Sequence, residues 1–265
     1  MASRLALLDE TETIIDETPV GREYALEAFV EGVLGAVPNL GTALNALYAQ
    51  ALLATLNAPT VRALVSDVTE GRLNVEIVRQ ANTGPAAGFV LALTIHYFQR
   101  FADAPRREPI LEALDAALAA STAPATLSIR EQALVALRTL LETTLGFSID
   151  RNANRPTQAV AATTLLDGDQ EPNHDCCDVT FYDIEFAVEL FAPNSDEAAL
   201  ATRAEAVLTA LRLADRLGGL AVDTLTITLD PETLRESYTG PALGIRIVGT
   251  IRIATVANDP LTLAA

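Results

Sequence analysis

The cysteines and one of the two histidines lie in a single short segment, the only cluster in this sequence with metal-binding side chains. It comprises His174, Asp175, Cys176 and Cys177. Tetrahedral zinc needs four ligands, commonly in Cys-x2-Cys pairs, whereas adjacent side chains point apart in an extended chain. Because the sequence has no second pair of such ligands, we expect no metal site.

An acidic segment, DGDQE, contains Asp167, Asp169 and Glu171 and resembles a fragment of a calcium-binding loop. The twelve-residue pattern requires a final glutamate, but Asp178 stands there and no helix flanks the segment, so we predict a turn. His96 lies in an apolar segment, where a core or interface histidine is expected rather than a catalytic base. Phosphate-binding glycine loops, GxSxG segments and serine triads are also missing, so we expect neither an enzyme nor a cofactor.

The charge balance is strongly acidic, with 35 acidic and 18 basic residues and a net charge of −17. Direct recognition of nucleic acid is therefore not expected, whereas an acidic path that lets DNA slide without adhering is compatible with it. All basic residues are arginines, which indicates either codon bias in a GC-rich genome or the use of arginine at subunit interfaces. The adjacent cysteines offer no disulfide framework, which fits a reducing cytoplasm, and the N-terminus does not resemble a secretory signal.

The first half is predicted to be rich in helices, following an acidic arm at residues 1–20 that is loosely ordered alone. An apolar stripe from Arg22 onward predicts a helix that Pro38 ends. The uncharged stretch at 32–61 is long enough for a membrane, but its prolines and amides favour buried helices. The other predicted elements are helices at 42–56, after Pro59 and at 107–119, and strands at 73–77 and 89–101.

The second half begins with a helix that Ser128 and Glu131 cap, the hydroxyl and the carboxylate each bonding a free backbone N–H. The clearest alternation of apolar and polar residues predicts a strand at 179–191. The other predicted elements are strands at 147–151, 159–166, 224–229 and 242–256, a helix from 194 or 195 to 217, and polar loops at 169–178 and 230–241. This gives the order α-β-β-β-α-β-β.

That order predicts an α+β fold in which helices cover one face of a mixed or antiparallel sheet. We divide the chain into the arm at 1–20, an additional helix-rich α+β domain at 21–125 and an α/β sandwich domain at 126–265. A strand-break-helix pattern at 89–119 recurs at 179–213, which indicates an internal duplication or merely a common motif. The first half lacks the two closing strands that such a duplication would require.

The bare face of the sheet is predicted to carry acid and arginine rows that pair across neighbouring strands. Such a face is either simply solvated, or it forms a subunit interface or lines a lumen. The candidate interface or lumen residues are Asp167, Asp169, Glu171, Asp183, Glu185, Glu189, Arg246 and Arg252.

Residues 128–256 resemble the tail terminator family of long-tailed bacteriophages, which includes the lambda-like minor tail protein U. The segments that carry the resemblance are IDRNANRP, LLDGDQE, FYDIEFAVELFA, the Leu-Gly-Gly that ends a helix, and ALGIRIVGTIRIATV. The family has no catalytic signature, so the resemblance rests on element order and on these segments.

The resemblance implies a virion structural protein of the tail or neck, assembled in the host bacterial cytoplasm. Its copies would form a homohexameric ring that caps the tail tube, stops tube polymerisation and joins the tail to the head connector. The implied partners are further copies of the chain, the tail tube protein and the connector or stopper protein, with DNA passing through unbound and no membrane.

The first half has no counterpart in typical family members. It is interpreted as a decoration, a neck-binding module or a degenerate copy of the same fold, and in the last case three chains would imitate six. Two other functions stay open: a different connector or tail-completion protein of the neck, and a small-molecule binding module that uses the loops around His174 and 230–241.

Overall fold

The computed structural model describes residues 3–78, 85–153, 161–176, 178–193, 196–214, 216–223, 226–230, 242–257 and 259–264. Within these ranges the chain forms a ten-stranded sheet with helices packed against it. The predicted α+β class is therefore confirmed.

The helices and strands of the first half alternate in pairs. They are β1 (Arg4–Thr18), β2 (Gly21–Leu34), α1 (Leu40–Asn57), α2 (Pro59–Arg62), β3 (Asp67–Val78), β4 (Ala86–Arg100) and α3 (Arg107–Ala120). The second half contains α4 (Ile129–Leu145), β5 (Asp150–Arg151), β6 (Ala162–Cys176), β7 (Val179–Pro193), α5 (Glu197–Leu213), a 3-10 turn at Arg216–Gly219, β8 (Thr226–Asp230), β9 (Ala242–Val256) and β10 (Asp259–Leu263). From α4 to β9 the observed order is the predicted α-β-β-β-α-β-β.

The strands lie side by side in the order β1-β2-β4-β3-β6-β7-β9, and each neighbouring pair is antiparallel. β8 and β10 both pair with β9, β8 along Thr226–Asp230 and β10 near the end of β9. The two-residue strand β5 runs parallel to β6. The sheet is thus continuous across both halves of the chain.

The N-terminal region differs from the sequence-based prediction. The arm expected at residues 1–20 is strand β1, and the helix expected from Arg22 is strand β2. In β2 the side chains that face the helices are Leu26, Ala28, Val30 and Leu34, which are buried. Phe29 and Val33 add apolar residues on the opposite face, and together the two rows imitate the i, i+3, i+4 spacing of a helix.

The two halves are built alike. Apart from the short helix α2, the first half has the order β1-β2-α1-β3-β4-α3, and the second, apart from β5, the 3-10 turn and β10, has α4-β6-β7-α5-β8-β9. Moving the hairpin β1–β2 to the end of the first half makes the two orders identical. The closing strands that the first half lacks in sequence are therefore present at its N-terminal end.

The sheet shows the same correspondence in space. Counting outward from the centre, β3, β4, β2 and β1 mirror β6, β7, β9 and β8. β3 and β6 meet antiparallel through Leu73 and Gln170, so a two-fold axis normal to the sheet relates the halves. Both central strands carry a register shift at the same place, between Glu70 and Leu73 and between Asp167 and Gln170. Each shifted segment contains an acid followed by glycine, which supports an internal duplication.

The apolar core is divided in the same way. One cluster of buried residues gathers β1–β4 with α1–α3, and a second gathers α4, β6, β7, α5 and β9. Phe89, Leu91 and Leu114 are typical of the first cluster, and Phe186 and Leu137 of the second. The space between the two clusters is occupied by polar side chains, which form the site described next.

Candidate functional site

Charged and polar side chains converge, buried, where β3 meets β6 beneath α1 and α4. We call this group the junction cluster. It comprises Asn45, Tyr48, Glu70, Arg130, Glu131, Arg151, Asp167, Gln170 and Tyr182. The first three belong to the first half and the others to the second. Buried ionic groups are stable only when they are fully paired, so the geometry of the cluster decides its role.

Arg151 binds two carboxylates at once. Its Nη1 and Nη2 donate to Glu131 Oε1 and Oε2 at 2.7 and 2.8 Å, and its Nε and Nη2 donate to Asp167 Oδ1 and Oδ2 at 2.8 Å each. Such bidentate charge-assisted bonds are the strongest that side chains form. Burial alone would raise the pKa of Asp167, but the charge and hydrogen bonds of Arg151 hold that pKa below its usual value.

Helix α1 of the first half is tied to these carboxylates by its first turns. Asn45 Nδ2 donates to Glu131 Oε2 at 3.1 Å and to Asp167 Oδ2 at 3.2 Å, and Thr42 Oγ1 donates to Glu131 Oε1 at 2.7 Å. Asn45 Oδ1 in turn accepts from Arg130 Nε at 2.6 Å. The two halves therefore share one network of hydrogen bonds, rather than merely touching.

Glu70 forms the other end of the cluster. Its carboxylate accepts from Tyr48 Oη at 2.5 Å, from Tyr182 Oη at 2.7 Å and from Gln170 Nε2 at 3.3 Å. Burial raises the pKa of Glu70 to about 7, although these three hydrogen bonds act in the opposite direction. Gln170 Oε1 accepts from Arg130 Nη1 at 3.2 Å, so Gln170 joins this end to the two arginines.

The arrangement suits a structural clamp better than a reactive centre. Arg130 and Arg151 balance the charges of Glu131 and Asp167, and every one of these side chains is buried. Their oxygens and nitrogens already hold partners within the cluster, as buried polar groups require. Glu70 is the one carboxyl in excess, and in its neutral form it leaves the cluster without net charge.

Little in the sequence indicated this cluster. The predicted turn at Asp167–Gly168 and the polar loop that follows it are both wrong, because β6 continues through them to Cys176 with a bulge at Gly168 and Asp169. Ser128 does cap α4 by accepting from the Glu131 N–H at 3.2 Å. The Glu131 carboxylate, expected to complete the cap, bonds Arg151 instead. The sequence feature that indicated the cluster was the pair of charged residues at 130 and 131, at the start of an amphipathic helix.

The candidate interface residues are divided among several environments. Asp167 and Glu189 are buried within the chain, so the prediction that they lie on an open surface is wrong. The bulge in β6 turns Asp167 toward the helices, where it pairs with Arg151. Glu189 lies opposite Arg246, as the predicted pairing of strands requires.

The remaining candidates line the open face and form ion pairs across neighbouring strands. Asp183 accepts from Arg252 Nε and Nη2, both at 2.7 Å, which confirms the predicted pairing of acid and arginine rows. Asp169 pairs with Arg72 of β3 at 2.9 Å, and Glu171 lies 3.9 Å from the same arginine. Glu185 is exposed. The face is thus charged and largely paired.

The pair of Asp183 and Arg252 provides a test of how much this face contributes to stability. Both side chains are more than a third exposed, and solvent screens such pairs. A double-mutant cycle with Asp183→Asn and Arg252→Gln is expected to give a coupling of about 0.5 kcal/mol. Urea denaturation measures it, and a coupling above about 2 kcal/mol would show that the face is shielded from water.

The described residues contain no group of three or more His, Cys, Asp or Glu side chains placed to hold a metal ion. His96 lies half-buried on β4 opposite Asp67 and Ala25. Cys177 and residues 231–241 of the loop predicted at 230–241 fall outside the described ranges, and Asp230 is the last residue of β8. Among the helices that the structure describes, none is long and apolar enough to cross a membrane.

Comparison with known proteins adds no relative. No protein-family model matches the chain, and no curated protein matches it either. We therefore infer the function from the fold, the buried junction cluster and the open face of the sheet.

Proposed function

We propose that this chain is a phage tail terminator, a virion structural protein of the tail or neck. Its copies form a ring that caps the tail tube, stops tube polymerisation and connects the tail to the head connector. The supporting observation is the element order from α4 to β9, which is the α-β-β-β-α-β-β order on which the resemblance rests. Fold alone does not determine function, so the proposal also depends on the surfaces and on the test below.

The junction cluster supports a scaffold rather than a catalyst. It uses two arginines and three carboxylates to hold the halves together and exposes none of them. A chain that must transmit load between a tube and a head benefits from a rigid internal joint. We therefore propose no enzymatic activity and no cofactor.

The internal two-fold axis bears on the number of chains. It reverses every direction in the plane of the sheet, so the two halves of one chain point in opposite directions. In a ring whose axis lies in that plane, three chains would present three second-half modules and three reversed modules to the tube. Six modules that face the tube in the same direction require six chains. We therefore propose a homohexamer, with the first half as a reversed copy.

The open face of the sheet is the surface that we assign to the lumen. Glu185, Asp183 and Glu171 lie there, and the whole chain carries a net charge of −17. Such a surface repels the phosphate backbone, which lets DNA pass without binding. A different connector of the same neck would share these properties, and the position of the protein on the virion separates the two.

The test uses tail tubes assembled without a terminator and allowed to elongate. Added protein is expected to appear as a cap at one end of each tube, and tubes formed in its presence are expected to stop at a uniform length. Negative-stain electron microscopy measures both, with tubes alone as the control. Uncapped tubes of unchanged length would contradict the proposal.

A further inference from the structure

We infer that the outer edge of β1 docks onto the β8 edge of a second copy of this chain, so that the sheet continues from one copy to the next. The inference rests on the proposed ring. Among the described residues, β1 ends the sheet on one side; on the other side β8 and β10 both pair with the outer edge of β9, and no strand pairs with the outer edge of β8. Strand edges with unpaired backbone groups readily pair with another chain.

The edge of β1 displays exposed apolar side chains, whereas a strand edge that pairs with no other chain usually carries features that prevent association. Its two bulges lie between Leu7 and Glu10 and between Ile14 and Asp16. A bulge re-aims the side chain at the extra residue, and the residues placed there include Leu8 and Ile15. Both side chains are about half exposed, at 49% and 50%. Charged residues at such positions would prevent association, whereas large apolar ones favour it.

Charge decides which edge is the partner. β1 also carries Glu10, Glu12, Asp16 and Glu17, and although Arg107, Tyr97 and Arg22 bond three of these carboxylates within the chain, pairing with β1 of a second copy would still bring two acidic strands together. Like charges directly opposite each other destabilise a strand pair. β8 has the sequence TITLD, with a single acid at its end and residue types that favour strands. Contact between unlike edges is heterologous, and it closes into a ring if the rotation permits.

The junction inside the chain is the precedent for this contact. β3 and β6 are equivalent strands of the two halves, and they meet edge to edge and antiparallel. β1 and β8 are equivalent in the same way, as the outermost strands of the two halves. Antiparallel pairing of β1 with β8 would repeat, between chains, the geometry that already joins the halves within one chain.

The test is a double variant, Leu8→Glu with Ile15→Glu, compared with Val135→Glu on α4 as a matched control. Val135 is also exposed, at 39%, and lies on a helix that packs against α5 and β9 rather than on β1 or β8. Mass is measured by light scattering in roughly 0.5 M NaCl, which screens the acidic surfaces. The wild type and the control are expected to share one ring mass, and the double variant is expected to fall to the 28.1 kDa of a single chain.

Two further readouts make the result decisive. Circular dichroism should show the same folded-state spectrum for the double variant and the control, so that loss of mass reflects the interface and not misfolding; the melting temperature of the variant is expected to be lower, because it lacks the stabilisation that association gives the ring. Because the variant retains a working β8 edge, an affinity-tagged variant should still retain wild-type chains in open complexes. Wild-type mass in the double variant, or no binding between tagged variant and wild type, would overturn the inference.

Failure of this inference is distinguishable from failure of the proposed function. Rings that persist in the double variant and still cap tubes would remove the edge contact and leave the terminator proposal standing. If the double variant is a single chain but wild-type rings never cap tubes, the edge contact stands and the terminator proposal fails.

Discussion

Replacing Arg151 with methionine is expected to lower the free energy of unfolding by about 3–5 kcal/mol. The substitution keeps most of the apolar volume but leaves Glu131 and Asp167 buried without the cation that binds both. Removing one partner of a buried ion pair destabilises a fold far more than removing both partners. Here neither carboxylate can regain contact with water unless the junction opens. Urea denaturation followed by circular dichroism measures the loss.

Arg138→Met is the matched control. Arg138 lies on α4, the helix that carries Glu131, and pairs with Glu142 at 3.0 Å, but both side chains are about a third exposed. Its loss is expected to cost no more than about 0.5 kcal/mol. Should Arg151→Met fail to fold, adding Glu131→Gln alone leaves Asp167 balanced by Arg130, and recovery of folded protein is then expected. Equal stability of Arg151→Met and Arg138→Met would contradict the clamp.

Glu70→Gln is expected to flatten the pH dependence of stability between about pH 4.5 and 7. Burial raises the pKa of Glu70 in the folded chain from its ordinary value of 4.5 to about 7. Within this window the folded state holds a proton that the unfolded state has released. Stability from this group is therefore fully present below pH 4.5 and is lost as pH rises through 7. The expected slope is about 1.4 kcal/mol per pH unit.

Urea unfolding at several pH values measures that slope in the wild type and the variant. The lowered pKa of Asp167 contributes a slope of opposite sign only at pH values below its ordinary pKa, outside this window, and the quantity compared is the difference between the two proteins. Glu112→Gln, an exposed carboxylate on α3, is the control and should leave the profile unchanged. Parallel profiles for the wild type and Glu70→Gln would show that Glu70 is ionised throughout.

The second half of the fold was largely predictable because its signals are local. Strand β7 alternates buried and polar residues, helix α4 carries a serine cap and a glycine stop, and the element order follows. The pairing of Asp183 with Arg252 followed from the same alternation. In each case the residue's own neighbours along the chain carried the information.

The first hairpin and the junction cluster depend on distant residues. β2 has apolar residues on both faces, and only its position between β1 and β4 shows that it is a strand. Asp167 and Gln170 resemble loop residues in sequence, since their partners Arg151, Asn45 and Arg130 become neighbours only after folding. A buried polar network satisfies itself in three dimensions, so it leaves no periodic pattern in the chain.

The duplication shows both effects together. The strand-break-helix pattern of β4 and α3 recurs in β7 and α5, which the sequence revealed. The hairpin β1–β2, which corresponds to β8–β9, begins the first half instead of ending it. The repeat is therefore incomplete when the two halves are compared in sequence order. The two-fold axis at Leu73 and Gln170 could be recognised only from the antiparallel pairing of β3 with β6.

The most direct test of the central claim, a ring of six identical chains, is the mass of the purified protein by light scattering behind a sizing column. We expect six times the 28.1 kDa of one chain, together with rings in negative stain. A mass of three chains would contradict the argument from the internal two-fold axis. A single-chain mass at every concentration, with no rings when tail tubes are added, would contradict the ring itself.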